Sequence, residues 1–282
     1  MHVVNESRVT GQVHVSMEGY EAELMKYAEV TGVRKTPAAN YLFTTGSSPK
    51  LARAELAHFH TVVAKLLYLT LRTRPQVGVA VAYLTTRVTC ANSGDMSKLV
   101  RVLQYINGTK ANRLTLSCTG PLRAIGKVDV AFGSHEDGKC QTAIVHTVGE
   151  DATVKAKSQK QRMVAKDSTE GELIGLTDAV DGVMRLDEFL REQGYVMDLP
   201  LIYQDNQSTI CLVTQGGGKY RSVHLRVRQC RVKEMIDLGK LIVAYMSTGN
   251  MVADVLTKPL QGALFFAMVR KLLNNQSADG SE

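Results

Sequence analysis

No apolar run in this chain of 282 residues is long enough to cross a bilayer, which excludes a membrane-spanning helix. The N-terminus, Met1-His2-Val3-Val4-Asn5-Glu6, lacks the basic-then-apolar order of a signal peptide. We therefore expect an intracellular protein, in cytoplasm or nucleus, with no membrane partner. Cysteine is scarce: Cys90, Cys118, Cys140, Cys211 and Cys230 are odd in number, widely spaced and form no Cys-x-x-Cys pair. That argues against both a disulfide framework and a zinc site. The seven histidines add no metal cluster, since His58 and His60 would point to different sides of a helix. There is no Gly-x-Ser-x-Gly elbow and no Gly-x-x-x-x-Gly-Lys-Ser/Thr loop, so serine-hydrolase and phosphate-loop chemistry have no foothold. Gly216-Gly217-Gly218-Lys219 lacks a strand-loop-helix setting and reads as a helix break.

What the chain does contain falls into two textures. An alternating segment over 12–17 predicts a strand, and Tyr20, Leu24 and Tyr27 predict a short helix. Residues 31–50, rich in Thr, Pro, Gly, Ser and Asn, read as a loop. Helical patterns follow over 51–71 and 77–84, and a third, capped by Ser93-Gly94-Asp95, runs to Gly108. After a strand over 114–118 the texture changes, and we place a boundary near residues 118–123. Residues 1–118 form a smaller, mainly helical domain, 122–274 an α/β domain and 275–282 a frayed tail.

The second region opens with a strand over 125–133 carrying Asp129, a polar hairpin over 134–139, and two further strands over 142–148 and 152–156. A basic stretch follows. Asp167-Ser168-Thr169 then caps a long helix to about residue 194, with Glu172 in its first turn. A strand ends at Asp205, a helix runs to about 215, and a basic helix spans 222–238. A strand over 240–246 precedes a helix over 251–256 that carries Asp254, and a last helix covers 264–273. The order β-β-β-α-β-α-α-β-α implies a five-stranded mixed sheet.

Taken alone, Asp205 has a plain alternative as a helix cap, and Glu170 or Glu172 as a favourable partner for a helix dipole. Together, Asp129, Glu172, Asp205 and Asp254 make a set of acids at strand ends and helix starts. Clustered carboxylates repel and need cations, and hard oxygen donors suit magnesium or manganese rather than zinc. Two such ions would activate water and stabilise the leaving oxygen of a phosphodiester. The net charge is +7 and the basic residues are bunched: Lys155, Lys157, Lys160, Arg162 and Lys166, then Lys219, Arg221, Arg226, Arg228, Arg231 and Lys233. One such run is usually a solvated face; two flanking the same acids point to nucleic acid.

Three stretches carry a family resemblance. Lys157-Ser158-Gln159-Lys160-Gln161 through Asp167-Ser168-Thr169-Glu170-Gly171-Glu172 resembles K-S-K-K-Q…S-S-T-E-A-E. Tyr203-Gln204-Asp205-Asn206-Gln207-Ser208 resembles Y-x-D-N-Q-S, and Ala253-Asp254-Val255-Leu256-Thr257-Lys258-Pro259-Leu260 resembles A-D-I-L-T-K-P-L. In this order they resemble the ribonuclease H region of copia-type LTR-retrotransposon Pol polyproteins. Upstream, residues 55–74 with Leu66-Leu67-Tyr68-Leu69 and Arg74-Pro75 resemble the segment joining reverse transcriptase to ribonuclease H, so 1–118 would hold the end of a polymerase palm and a thumb- or connection-like piece.

The resemblance implies an RNase H-like α/β fold and a metal-dependent endoribonuclease acting on RNA–DNA hybrids. It implies two Mg2+ ions, with Mn2+ as a substitute, held by Asp129, Glu172, Asp205 and Asp254, and the rest of a retroelement polyprotein as partner. Nucleic-acid contacts would fall to Lys157, Lys160, Gln161, Asn206, Gln207, Ser208, Arg221 and His224. We prefer Glu172 to Glu170 because Glu172-Leu173-Ile174 matches the family's acid-then-apolar turn. The chain holds no Tyr-x-Asp-Asp, so no polymerase activity is expected of it. Gln76, Ala143, Asp167 and Arg228-Gln229-Cys230 depart from the family pattern, and there is no tryptophan. Those departures keep open a second reading, a catalytically silent nucleic-acid-binding protein derived from a retroelement.

Overall fold

The computed structural model describes residues 2–5, 11–118, 120–216 and 222–275; Lys219 and Arg221 lie outside them, as does most of the expected tail. The first region holds β1 (His2–Asn5), β2 (Val13–Ser16), α1 (Glu18–Tyr27), α2 (Arg53–Thr70), α3 (Gly78–Thr85), α4 (Ser93–Gly108) and β3 (Leu114–Leu116). The three strands form one antiparallel sheet, of which β1 was not legible in the sequence. The cap of α4 falls one residue earlier than expected: Asn92 accepts from the Asp95 backbone N–H at 2.9 Å, and Asp95 answers the Asn92 N–H at 3.1 Å. Arg74 is fully buried and grips both oxygens of Glu21 at 2.7 and 2.6 Å, and the Thr109 carbonyl at 2.7 Å, tying α1 to the chain around it.

The second region holds β4 (Ala124–Ala131), β5 (Gln141–Val148), β6 (Ala152–Lys160), α5 (Ser168–Glu192), β7 (Leu201–Gln204), α6 (Gln207–Gln215), α7 (Val223–Asp237) and β8 (Ile242–Tyr245). A 3-10 turn, Val252–Leu256, and α8 (Gly262–Leu273) complete it. The sheet order is β6-β5-β4-β7-β8, antiparallel across β6/β5/β4 and parallel across β4/β7/β8. This is the five-stranded mixed sheet of an RNase H-like α/β fold.

Two local expectations are corrected. The third strand of the meander runs on to Lys160, so Lys155, Lys157 and Lys160 sit on β6 and only Arg162 and Lys166 follow it. Asp254 lies on a 3-10 turn and not on an α-helix, because the segment closes by i+3 bonds, Asp254 N–H to Met251 carbonyl at 3.0 Å and Thr257 N–H to Asp254 carbonyl at 3.2 Å, just before Pro259.

Both faces of the sheet are covered, which is why nearly every residue of β4 and β5 is buried. On one face α5 packs Leu173, Leu176, Val180 and Val183 against Val128, Ile144 and Ile202. On the other, Ala143, Val145 and Ala156 share a core with Phe59, Leu66 and Leu69 of α2, Val81 of α3, Val102 and Ile106 of α4, and Met251, Leu256, Phe265 and Leu272. Across residues 118–123 the architecture changes while the packing is shared.

Candidate active site

Strand register brings the first two acids together. Val128 of β4 pairs with Gln204 of β7 in parallel, so Asp129 and Asp205 stand one step beyond the last paired position. Asp129 is buried, and its neighbour across the antiparallel pair is Ala143, a small residue that leaves the carboxylate room. Asn206, not Asp205 or Ser208, caps α6, accepting from the Thr209 N–H at 3.0 Å. With the cap filled, Asp205 turns toward the sheet end. Asp254, buried on its 3-10 turn, completes a group in which Asp129, Asp205 and Asp254 each place a carboxylate oxygen within 4.8 Å of the others.

Glu172 approaches from α5, also buried. Gln204 connects it to the rest: its amide donates to Glu172 Oε2 at 3.2 Å, and its carbonyl oxygen accepts from the backbone N–H of Asp205 at 2.7 Å and of Asn206 at 3.0 Å. Glu170 turns away and accepts from the Lys166 N–H at 2.8 Å, the dipole-side role the sequence allowed for one of the pair.

The charges are strained toward neutrality in the bare protein. Burial, then Asp129 and Asp205, push the Glu172 carboxyl well above its ordinary range. Burial and Asp129 raise Asp205, and the same two causes lift Asp254 from 3.8 to about 7. The chain supplies its own donors against this repulsion. Thr257 Oγ1 donates to Asp129, Thr248 Oγ1 donates to Asp205 Oδ2 at 3.1 Å, and the Lys258 ammonium reaches Asp129 Oδ1 at 3.3 Å and Asp254 Oδ1 at 3.0 Å.

The sequence assigned no role to Gln204, Thr248, Thr257 or Lys258. Gln204 occupies the unspecified position of Y-x-D-N-Q-S, and Thr257-Lys258 belong to the third motif, so two signals were present without a geometry to interpret them. Carboxylate oxygens backed by hydroxyl and amide groups are a donor set suited to hard divalent cations.

The expected nucleic-acid contacts divide. Gln207 and Ser208 are exposed on the first turn of α6 and His224 is exposed on α7. Lys157 is exposed on β6 and, with Arg162 and Arg228, lines a cleft of about 420 Å3. Lys160 is held by Asp137 at 2.8 Å, and Arg228 and Arg231 pair with Asp178 and Asp181 at 3.0 and 2.6 Å. Asn206 is occupied by capping. Gln161 is buried at the edge of that cleft, where its amide donates to Thr142 Oγ1 at 2.8 Å and the Gly171 carbonyl at 3.0 Å and so ties the end of β6 to β5 and α5.

No family model matches the chain. It is 26% identical over 269 residues, 92% of its length, to the retrovirus-related Pol polyprotein of transposon TNT 1-94 from Nicotiana tabacum. It is 27% identical over 278 residues, 95% of its length, to that of transposon RE2 from Arabidopsis thaliana. The chain spans 20% and 18% of those two polyproteins. Among solved structures, ribonuclease H1 of the halophilic archaeon Halobacterium salinarum is similar at 18% identity and a TM-score of 0.35, over 48% of this chain and 93% of that one. Strand order and sequence similarity point the same way: the chain is similar to retrovirus-related Pol polyproteins from plant transposons over about a fifth of their length, and it carries an RNase H-like sheet.

Proposed function

We propose that this chain is a metal-dependent endoribonuclease that hydrolyses the RNA strand of RNA–DNA hybrids, as one part of a retroelement polyprotein. The observation that carries the proposal is the convergence of Asp129, Asp205 and Asp254 within 4.8 Å, with Glu172 tied to them through Gln204. Asp129, Glu172, Asp205 and Asp254 would hold two divalent cations, magnesium or manganese. Such ions supply an activated water and stabilise the leaving oxygen of an in-line phosphodiester displacement.

The chain's own residues do the positioning. Gln204 fixes the turn on which Asp205 sits and keeps Glu172 facing it. Thr257 and Thr248 orient Asp129 and Asp205 by taking one oxygen of each. Gln207 and Ser208, exposed beside Asp205, would meet the hybrid's backbone, where a 2′-hydroxyl distinguishes RNA from DNA. Lys157, Arg162 and Arg228 would meet phosphates further along the strand, a contribution that weakens with salt.

The test is a substrate panel: end-labelled RNA–DNA hybrid, double-stranded DNA and single-stranded RNA, each with magnesium and with manganese. Cleavage confined to the RNA of the hybrid is expected. Cutting of duplex DNA would redirect the reading to an integrase- or resolvase-type nuclease. Salt-sensitive hybrid binding with no cleavage would leave a nucleic-acid-binding protein.

A further inference from the structure

We propose that Lys258 is a built-in counter-ion of the carboxylate cluster, which a divalent cation must displace in order to bind. The inference rests on the reading of that cluster as a metal site and adds a residue that competes for it. Lys258 Nζ lies 3.3 Å from Asp129 Oδ1 and 3.0 Å from Asp254 Oδ1, and so bridges two of the three clustered acids. The side chains of Asp129 and Asp254 are only 3% and 7% exposed, so the ammonium is their cationic partner in a setting shielded from water.

The placement is built into the backbone. Lys258 stands four residues after Asp254, and its N–H donates to the Asp254 carbonyl at 2.9 Å, so the side chain folds back along the same turn. Pro259 follows, with its φ fixed by its ring. On the neighbouring oxygens, Thr257 takes Asp129 Oδ2 and Thr248 takes Asp205 Oδ2. Both oxygens of Asp129 and one each of Asp205 and Asp254 are therefore occupied by donors of the chain itself.

An ammonium and a divalent cation cannot share these oxygens, because like charges this close repel strongly in a partly buried site. The threonine hydroxyls can rotate and present lone pairs, but the ammonium has only donors and must leave. Lys258 has a way out: its side chain is 38% exposed, so the ammonium can swing into water while the carboxylates stay in place. Two consequences follow. Without metal, Lys258 keeps mutually repelling acids close together. With metal, the apparent affinity is reduced by the fraction of time the lysine occupies the cluster.

The experiment titrates Mn2+ alone, without nucleic acid, into the full chain and into Lys258→Met by calorimetry, in buffer well above the carboxylate range. It also compares melting temperatures in chelator and in Mn2+. Lys258→Met is expected to bind Mn2+ roughly tenfold more tightly. It should melt lower than wild type in chelator and gain more on adding Mn2+. Lys258→Arg, which keeps the charge, is expected to hold its stability in chelator and to bind Mn2+ no more tightly than wild type. Unchanged or weaker Mn2+ affinity in Lys258→Met, unchanged melting in chelator, or tighter binding by Lys258→Arg would each overturn the proposal. Failure of wild type and variants alike to take up Mn2+ would overturn the metal-site reading with it, an outcome that a simple equality of affinities is not.

Discussion

At the scale of single residues, the sharpest constraints lie where α5 meets the sheet. His146 on β5 is buried against Gly182, and its ring nitrogen Nε2 meets the Ala179 carbonyl at 3.2 Å. A Cβ at position 182 would stand 2.2 Å from the imidazole Cε1 and 2.5 Å from Nε2. Gly182→Ala gains helix propensity, about 1 kcal/mol, yet must move a packed ring, an overpacking of about 1–3 kcal/mol. A net loss of stability is expected, measured by denaturant unfolding; a more stable variant would contradict the packing described. Burial, opposed by the Ala179 carbonyl, lowers the His146 pKa from 6.5 to about 4. Below pH 6.5 the unfolded chain takes a proton that the folded chain refuses, so His146 should cost stability progressively between about pH 6.5 and 4. His146→Gln is expected to flatten that part of a stability–pH curve. At this scale the sequence was uneven. Asp129, Glu172, Asp205 and Asp254 were legible because an acid at a strand end or helix start is conspicuous. The inward hydrogen bonds of Gln161 to Thr142 and Gly171 were not legible, because a glutamine in a basic run gives no sign of them.

At the scale of elements, α5 does the most. Its 25 residues cover one face of the sheet and deliver Glu172 from the first turn. Asp167 starts it, accepting from the Glu170 N–H at 2.9 Å, so the aspartate where the family has a serine still caps. Asp167→Ala should cost about 1 kcal/mol in global stability, read from thermal or denaturant melts, with the fold intact. No loss would mean that the helix start is held by packing alone. The length of α5 was legible from its apolar spacing, whereas the end of β6 was not. Lys155 and Lys157 look like a polar connection in one dimension, yet stand exposed on either side of the buried Ala156 in a strand that runs on to Lys160. The turn carrying Asp254 was likewise read as a helix, since its apolar residues are buried from several sides and show no single face.

At the scale of the whole molecule, the site depends on parts of the chain far apart in sequence. Met251, Val252, Ala253, Val255 and Leu256 surround Asp254 in the sequence and lie in one core with α2, α3 and α4. Thr36 and Ala38 clasp Gln261 at 2.9 and 2.8 Å, fastening the first region to the stretch just past Lys258. The helical region is therefore the platform under the acid-bearing turn, a contact between residues some 200 apart that no local pattern could announce. One cooperative unfolding transition is expected, with coincident signals from circular dichroism and tyrosine fluorescence; two separated transitions would contradict the shared core. We propose that four acids from β4, α5, the end of β7 and the Val252–Leu256 turn make one metal-dependent nuclease site. It is tested most directly by cleavage of an end-labelled RNA strand in an RNA–DNA hybrid with magnesium or manganese, wild type against Asp205→Asn. Cutting by wild type that disappears in Asp205→Asn while hybrid binding persists is expected. Equal cutting by both, or none by a wild type that binds the hybrid, would contradict it.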